Sequence, residues 1–269
     1  MAVQDIAMLN DDEFRCVLEH LNRPWTGFRK VRKGIKKRLR RHMQALGCTS
    51  VETYLHLLDR QPEVRTACEG HLIVTISRFF RDHKLWACLR DRILPQLIDS
   101  LPGPMRAWSA GCASGEEPYS LAILWEEAAT DRLLMATSTD ASSQCLARAQ
   151  AAIYDRNSLK QVPEDLREKY FEQTPAGRRF ALKPLLKSKI NWQQRDLFDD
   201  PLPGRFHVVF LRNNLLTYYR GSAQVRTFEQ IARTLVRGGY LIVGSHEHPP
   251  PTELDLSRDD TCPWIYQRI

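Results

Sequence analysis

RAWSAGCASGEEPYS, residues 106–120, reads as a strand, a turn of glycine and small residues, and the start of a helix at Glu116. Downstream the same texture repeats. Short apolar runs at 133–140 (LLMATSTD), 207–212 (HVVFLR) and 240–245 (YLIVGS) alternate with helical patterns at 116–129, 142–151 and 223–236. Alternation of this kind predicts βα units around a parallel sheet, so the fold class is α/β. Asp99–Pro104 (DSLPGP) supplies the turn into the first strand. Residues 155–189 break the rhythm with Lys, Arg and Pro, and read as an insertion holding a helix and a small hairpin around Pro175-Ala176-Gly177. The sheet domain is therefore expected over 106–269.

Upstream the pattern is helical throughout. Phe14, Val17, Leu18 and Leu21 fit one helix face, with Asn10 or Asp11 as N-cap and Pro24 beyond its end. Phe28, Val31, Ile35, Leu39, Met43 and Leu46 recur at helical spacing through a segment, 29–42, that carries nine Lys or Arg. Two shorter helices follow at 51–58 and 64–73. Residues 1–75 are thus expected to form a small all-helical domain, and 76–105 a connecting segment.

Composition bounds the function. The chain has 269 residues, 43% of them hydrophobic, a formal charge of +7 and a pI of about 9.1. That excludes disordered and low-complexity classes and favours acidic partners. No apolar run approaches the roughly 18 residues of a spanning helix, and acids stand where a signal peptide would be basic, so a cytoplasmic protein without membrane insertion is expected. The seven cysteines form no CxxC pair, which argues against a zinc ribbon or a disulfide framework.

The chemistry concentrates at strand ends. A turn such as Gly111–Gly115 after the first strand of a doubly wound sheet is where nucleotide-like ligands approach the backbone, although a tight turn with no ligand uses glycine too. Asp140 ends the next strand, placed to accept hydrogen bonds from ribose hydroxyls; capping a helix from before Ala141 is the compatible alternative. Glu116 and Glu117 open the helix after the turn. Carboxylates there suit the helix dipole, disfavour a pyrophosphate, and match a cationic ligand such as the sulfonium of S-adenosylmethionine. His246 and His248 suggest a metal pair without a third ligand, so no metal is expected.

Ser77–Asp82 (SRFFRD), Trp108–Ser120, Ser138-Thr139-Asp140, Phe210–Asn213 and Gly238–Gly244 together, in order and spacing, resemble the chemotaxis receptor methyltransferase (CheR) family. The resemblance runs from about residue 10 to 269. It implies a Rossmann-like class I methyltransferase sheet with a small helical N-terminal domain and a small insertion subdomain. It also implies transfer of a methyl group from S-adenosylmethionine to glutamate side chains on the cytoplasmic helices of chemoreceptors. Arg81 matches the family arginine that lies over the donor and the incoming carboxylate. Thr75 and Ser77 stand where the family has Asn and Thr contacting the donor, Glu117 matches the acid near its amino acid end, and Asp140 the ribose ligand. Asp196-Leu197 stands at the Asn-Leu near the adenine, and Leu211-Arg212 at the Cys-Arg.

One position departs. Thr217 occupies the place of a catalytic-site tyrosine, and Tyr218 follows it, so Tyr218 is the candidate substitute. A methyltransferase with another substrate, or a donor-binding regulatory protein with little turnover, remains the alternative. Transfer to a carboxylate needs no strong base, because the nucleophile is ionised at neutral pH; positioning and an aromatic pocket of Phe79, Phe80 and Tyr218 are expected to supply the catalysis. The basic segment, with Arg32, Lys33, Lys36, Lys37 and Arg40, reads as a solvated face or an RNA-binding surface, and the resemblance adds docking on acidic receptor helices or another acidic protein.

Overall fold

A computed structural model describes residues 9–200 and 202–269; the signal-peptide reading of residues 1–8 lies outside them. The chain divides into two compact units, one running to Val74 and taking in Thr217–Gly221, the other made of Thr75–Leu216 and Ser222–Ile269.

The first unit holds α1 (Asp11–His20), α2 (Trp25–Phe28), α3 (Arg32–Ala45), α4 (Val51–Arg60) and α5 (Pro62–Leu72). α1 starts at a capping box in which Asn10 and Glu13 exchange side-chain to backbone hydrogen bonds, so Asn10 is the cap. Ser50 caps α4, and Pro62 sits in the first turn of α5, where a missing N–H leaves nothing unpaired. Ile35, Leu39 and Met43 form the buried stripe of α3 against Phe14, Phe28, Tyr54, Leu58 and Cys68.

Thr217–Gly221 belongs to this helical unit although the sequence places it within the sheet domain. The Tyr218 ring lies 4.9 Å from that of Phe28, the Arg23 guanidinium sits 3.6 Å from the centre of the Tyr219 ring, and Arg220 donates to Asn22 Oδ1 at 2.9 Å. A Cβ on Gly27 would run into the Thr217 carbonyl, so glycine is what admits this close approach.

The second unit opens with α6 (His83–Cys88), a π-helical turn at Leu89–Ile93 and α7 (Leu94–Ser100). The sheet then begins: β1 (Met105–Ala110), α8 (Glu116–Glu127), β2 (Leu134–Asp140) and α9 (Ser143–Ala151). The insertion is larger than its composition suggests. Its three short strands β3 (Ile153–Asp155), β4 (Phe171–Gln173) and β5 (Arg179–Leu182) make an antiparallel sheet in the order β3-β5-β4, with α10 (Glu164–Tyr170) before β4 and α11 (Pro184–Lys187) after β5. β4 and β5 form the hairpin expected around Pro175-Ala176-Gly177.

The main sheet resumes with β6 (Ile190–Gln194), β7 (Phe206–Leu211), α12 (Leu215–Tyr218), α13 (Ser222–Arg233), β8 (Leu235–Val243), β9 (Leu256–Arg258) and β10 (Ile265–Arg268). Its order is β6-β2-β1-β7-β8-β10-β9; the first five strands pair in parallel, and β10 and β9 complete the edge antiparallel. β1 and β7 are nearly continuous in buried residues, as strands covered on both faces are. Two boundaries differ from expectation. The last long helix stops at Arg233, and Leu235-Val236 is strand, because β8 bulges around Gly238 (φ +77°) and so begins well before Tyr240. Asp140 does not cap α9; Ser142 does, by accepting from Cys145 N.

Candidate active site

From β1 the chain moves outward through β2 to β6, then crosses back to β7 on the other side of β1. The reversal makes the β1/β7 junction the topological switch point, and the carboxyl ends of the strands there frame a crevice. Gly111–Gly115 follows β1, Arg212 follows β7, Asp140 ends β2, and Asp196-Leu197 lies just beyond β6.

Asp140 organises the loop after β1. Its Oδ2 accepts from Ala113 N and its Oδ1 from Ser142 N, both at 2.9 Å, while the Thr139 carbonyl accepts from Gly111 N and Cys112 N. Burial raises the Asp140 carboxyl above its ordinary range, and the two amides pull it back. Gly111 and Gly115 both have positive φ, +81° and +88°. A Cβ at Gly115 would come within 2.9 Å of Ala149 and Trp192, and one at Gly111 would meet the Asn214 amide, which donates to the Ala110 carbonyl. Both glycines are therefore demanded by the protein's own packing.

Across the switch point Arg212 is the hub. Its side chain is 3% exposed and pairs with Glu117 Oε2 at 3.0 Å and Asp82 Oδ2 at 2.8 Å, while Nη2 also donates to the Arg81 carbonyl at 3.0 Å. Glu117 takes a further hydrogen bond from Ser109 through its other oxygen, at 2.7 Å. One guanidinium thus faces two carboxylates, and the surplus negative charge fits a sulfonium or ammonium better than a phosphate. Local backbone strain gathers here as well. Phe80, Asp82, Ala113 and Asn213 all have φ between +48° and +66°, conformations that bulky residues adopt only where the surroundings hold them.

The remaining expected residues divide. Arg81 is half-buried, its guanidinium turned to the Ile76 carbonyl at 3.3 Å, and Trp86 Nε1 donates to the Arg81 carbonyl at 2.8 Å. Ser77 is half-buried, its hydroxyl near enough to Glu116 to oppose the upward shift that burial gives that carboxyl, and Thr75 is exposed at the start of the second unit. Leu211 is fully buried in β7. Asp196 is exposed and turns its own loop by accepting from Phe198 N at 2.9 Å, with Leu197 half-buried beside it. Thr217 and Tyr218 group with the helical unit, as above. Phe79 and Phe80 are buried in the core, Phe79 packing edge-on to Tyr154 and Phe171, and Phe80 to Trp86.

Two participants escaped the sequence reading: Asp82, quoted only as the end of the SRFFRD run, and Glu247. Glu247, flanked by exposed His246 and His248, is buried and accepts from Asn213 N at 2.8 Å and Gly244 N at 2.6 Å, bracing the loop that carries Arg212. Its one sequence signal was an acid three residues after the glycine that ends an apolar strand. Among the basic residues of α3, Arg32 and Lys36 are tied to Asp11 at 3.1 and 2.8 Å and Arg40 is half-buried, whereas Lys33 and Lys37 are exposed.

The crevice thus offers a strained glycine turn, an acid at the end of β2 and a net negative ion cluster, a combination suited to a cationic nucleoside. A family model for the CheR methyltransferase SAM-binding domain matches residues 75–258. The chain belongs to the CheR methyltransferase family. As a CheR methyltransferase it uses S-adenosylmethionine as its donor. A probable chemotaxis protein methyltransferase of Rhizobium etli is 31% identical over 225 residues, covering 79% of this chain and 83% of that protein. Chemotaxis protein methyltransferase 1 of Pseudomonas aeruginosa is 31% identical over 224 residues, covering 79% and 81%. The chemotaxis protein methyltransferase of Listeria monocytogenes matches at 31% over 176 residues, 65% of this chain and 66%, just under two thirds, of the relative's length.

Proposed function

We propose that this CheR methyltransferase esterifies glutamate side chains on the acidic cytoplasmic helices of chemoreceptors, as its relatives' names indicate for chemotaxis. The ion cluster of Arg212 with Glu117 and Asp82, facing the Gly111–Gly115 turn, is the observation that carries the donor side of this reading. Bound S-adenosylmethionine supplies an activated methyl group on a sulfonium. The protein's own part is to hold and orient. Asp140 is proposed to accept from the ribose hydroxyls through lone pairs left by Ala113 and Ser142, Glu117 to face the amino acid end, and Asp196-Leu197 to border the adenine. Arg81 orients the acceptor carboxylate. No group needs to remove a proton from it, since a glutamate is already ionised at neutral pH. Incubation with labelled donor and receptor cytoplasmic fragments should yield base-labile methyl esters; label in another linkage, or binding without transfer, would overturn the substrate assignment.

Tyr218 is proposed to share the orienting role in place of the absent tyrosine. Tyr218→Phe keeps the ring and its packing on Phe28, so it removes a hydroxyl alone. The role predicts lower turnover, at unchanged donor affinity and melting temperature. A Tyr218→Phe enzyme as fast as the parent would leave orientation to Arg81.

For the acceptor, α3 presents Lys33, Lys37 and Arg41 as an exposed stripe at successive helical turns. Docking of acidic helices on this stripe predicts that replacing all three by Glu slows methylation of receptor fragments by on the order of tenfold at low ionic strength and flattens the salt dependence. Donor affinity should stay at the parent value. Lys36 is left out because removing it would release Asp11 as well. A parent-like rate and salt slope in the triple variant would make the stripe a solvated face, and tight binding of unrelated RNA would favour a nucleic-acid partner.

A further inference from the structure

Glu116 opens α8 next to Glu117, yet it turns the other way and plays no part in the ion cluster. It is 4% exposed, and its Oε2 has no hydrogen-bond partner among the described residues. Burial pushes its carboxyl above the ordinary range, with the Ser77 and Ser158 hydroxyls opposing that shift. A carboxylate held in such a place is costly, and an apolar side chain would fill it more cheaply. What it provides is an anchor on a segment far away in sequence, the Ser158 hydroxyl at 3.4 Å from its Oε1, with the Ser77 hydroxyl close enough to act on the carboxyl as well.

Both serines bear on one stretch of chain. The Ser158 carbonyl accepts from Phe79 N at 3.0 Å, and Ser120 Oγ, which donates to the Glu116 carbonyl at 2.6 Å, accepts from Phe80 N at 3.0 Å. Phe79 and Phe80 are thereby held through their backbone beside Glu116, with the Ser77 hydroxyl near its carboxyl. Immediately beyond, Phe80 (φ +51°) and Asp82 (φ +66°) take left-handed conformations, and the Arg81 carbonyl and Asp82 carboxylate meet Arg212. Left-handed conformations at such residues persist only where neighbours over-determine them.

We propose that Glu116 is a positioning residue for the methyl donor: through Ser77 and Ser158 it holds the 77–82 segment in the strained form that completes the Arg212 ion cluster. This deepens the donor assignment above and rests on it. Glu116 itself touches neither donor nor acceptor in this role. Ser77 and Ser158 share the task, so their losses overlap with that of Glu116 instead of adding to it.

The test is calorimetric titration of S-adenosylmethionine into the full chain, with melting curves on the same samples. Glu116→Ala should weaken the donor by about tenfold, and Glu116→Gln, whose amide oxygen still accepts a hydroxyl, by no more than about threefold. Ser77→Ala should cost about threefold on its own and nothing further in the Glu116→Ala background. Should Glu116→Ala not fold, Ser77→Ala and Ser158→Ala carry the test, because both leave the backbone bonds in place; each should weaken the donor by about threefold without lowering the melting temperature appreciably. Parent affinity in all the variants that fold, or fully additive losses, would overturn the positioning role while leaving the donor assignment standing. A parent chain that binds no S-adenosylmethionine would overturn both.

Discussion

Arg212→Ala is expected to bind no measurable S-adenosylmethionine and to melt well below the parent. The guanidinium is almost wholly buried, with Glu117 and Asp82 at 3.0 and 2.8 Å and the Trp86 ring centre 6.0 Å away. Its removal strands two carboxylates side by side. Breaking a buried ion pair by deleting one partner costs about 3–5 kcal/mol, and the partial exposure of Asp82 and Glu117 puts the expectation at the lower end of that range. Against a total stability of roughly 5–15 kcal/mol, this is a large fraction. Donor binding should fail for a separate reason. Without Arg212 the Arg81 carbonyl and Asp82 lose their direct bonds to the residue that follows β7, and the Arg81 carbonyl keeps only its bond from Trp86, so the strained 77–82 segment is loosened at its outer end.

Arg212→Lys discriminates between charge and geometry. An ammonium restores the charge but cannot span Glu117, Asp82 and the Arg81 carbonyl with one rigid fork, so stability should recover in part and donor affinity much less. Adding Asp82→Asn to Arg212→Ala removes one stranded acid, and the double variant should melt above Arg212→Ala alone. An Arg212→Ala protein with the parent's melting temperature and donor affinity would take Arg212 out of both roles.

The parts of this fold that were legible in the sequence are those specified locally. The run from Arg106 to Ser120 carries its own strand, turn and helix signals, and Asn10 with Glu13 carries a cap. β6, β9 and β10 (INWQQ, LSR and IYQR) do not, being short and polar; each is a strand because a neighbour supplies the hydrogen-bond ladder. The grouping of Thr217–Gly221 with the helices depends on the absence of a side chain at Gly27, which lies far away in sequence. The candidate site divides the same way. Asp140 and Glu117 stand at the ends of a recognisable strand and helix and were read from position, whereas Arg212, at the end of another strand, came from the family resemblance. Asp82 and Glu247 owe their places to left-handed turns and to hydrogen bonds across the fold, and those have no local signature.

Asp140→Ala should weaken S-adenosylmethionine by about tenfold to a hundredfold, the factor corresponding to roughly 1.5–3 kcal/mol for a hydrogen bond to a charged group. Two effects could produce that loss. The carboxylate both offers lone pairs to a ribose and pins the loop through Ala113 N and Ser142 N, and alanine removes all of it at once. Asp140→Asn divides them: one carbonyl oxygen still accepts, but its amide must turn toward either Ala113 N or Ser142 N, so one loop anchor fails. Ser142→Ala supplies the complementary control, since it strips the cap from α9 and leaves the Ser142 N–H on Asp140. It should lower stability by about 0.5–2 kcal/mol and leave the donor constant where it was. If Ser142→Ala weakened the donor as much as Asp140→Ala, loop order alone would explain both results. Unchanged affinity in both Asp140 variants would remove the ribose assignment. A loss confined to Asp140 variants, at similar melting temperatures, is the pattern that direct contact with the ribose requires.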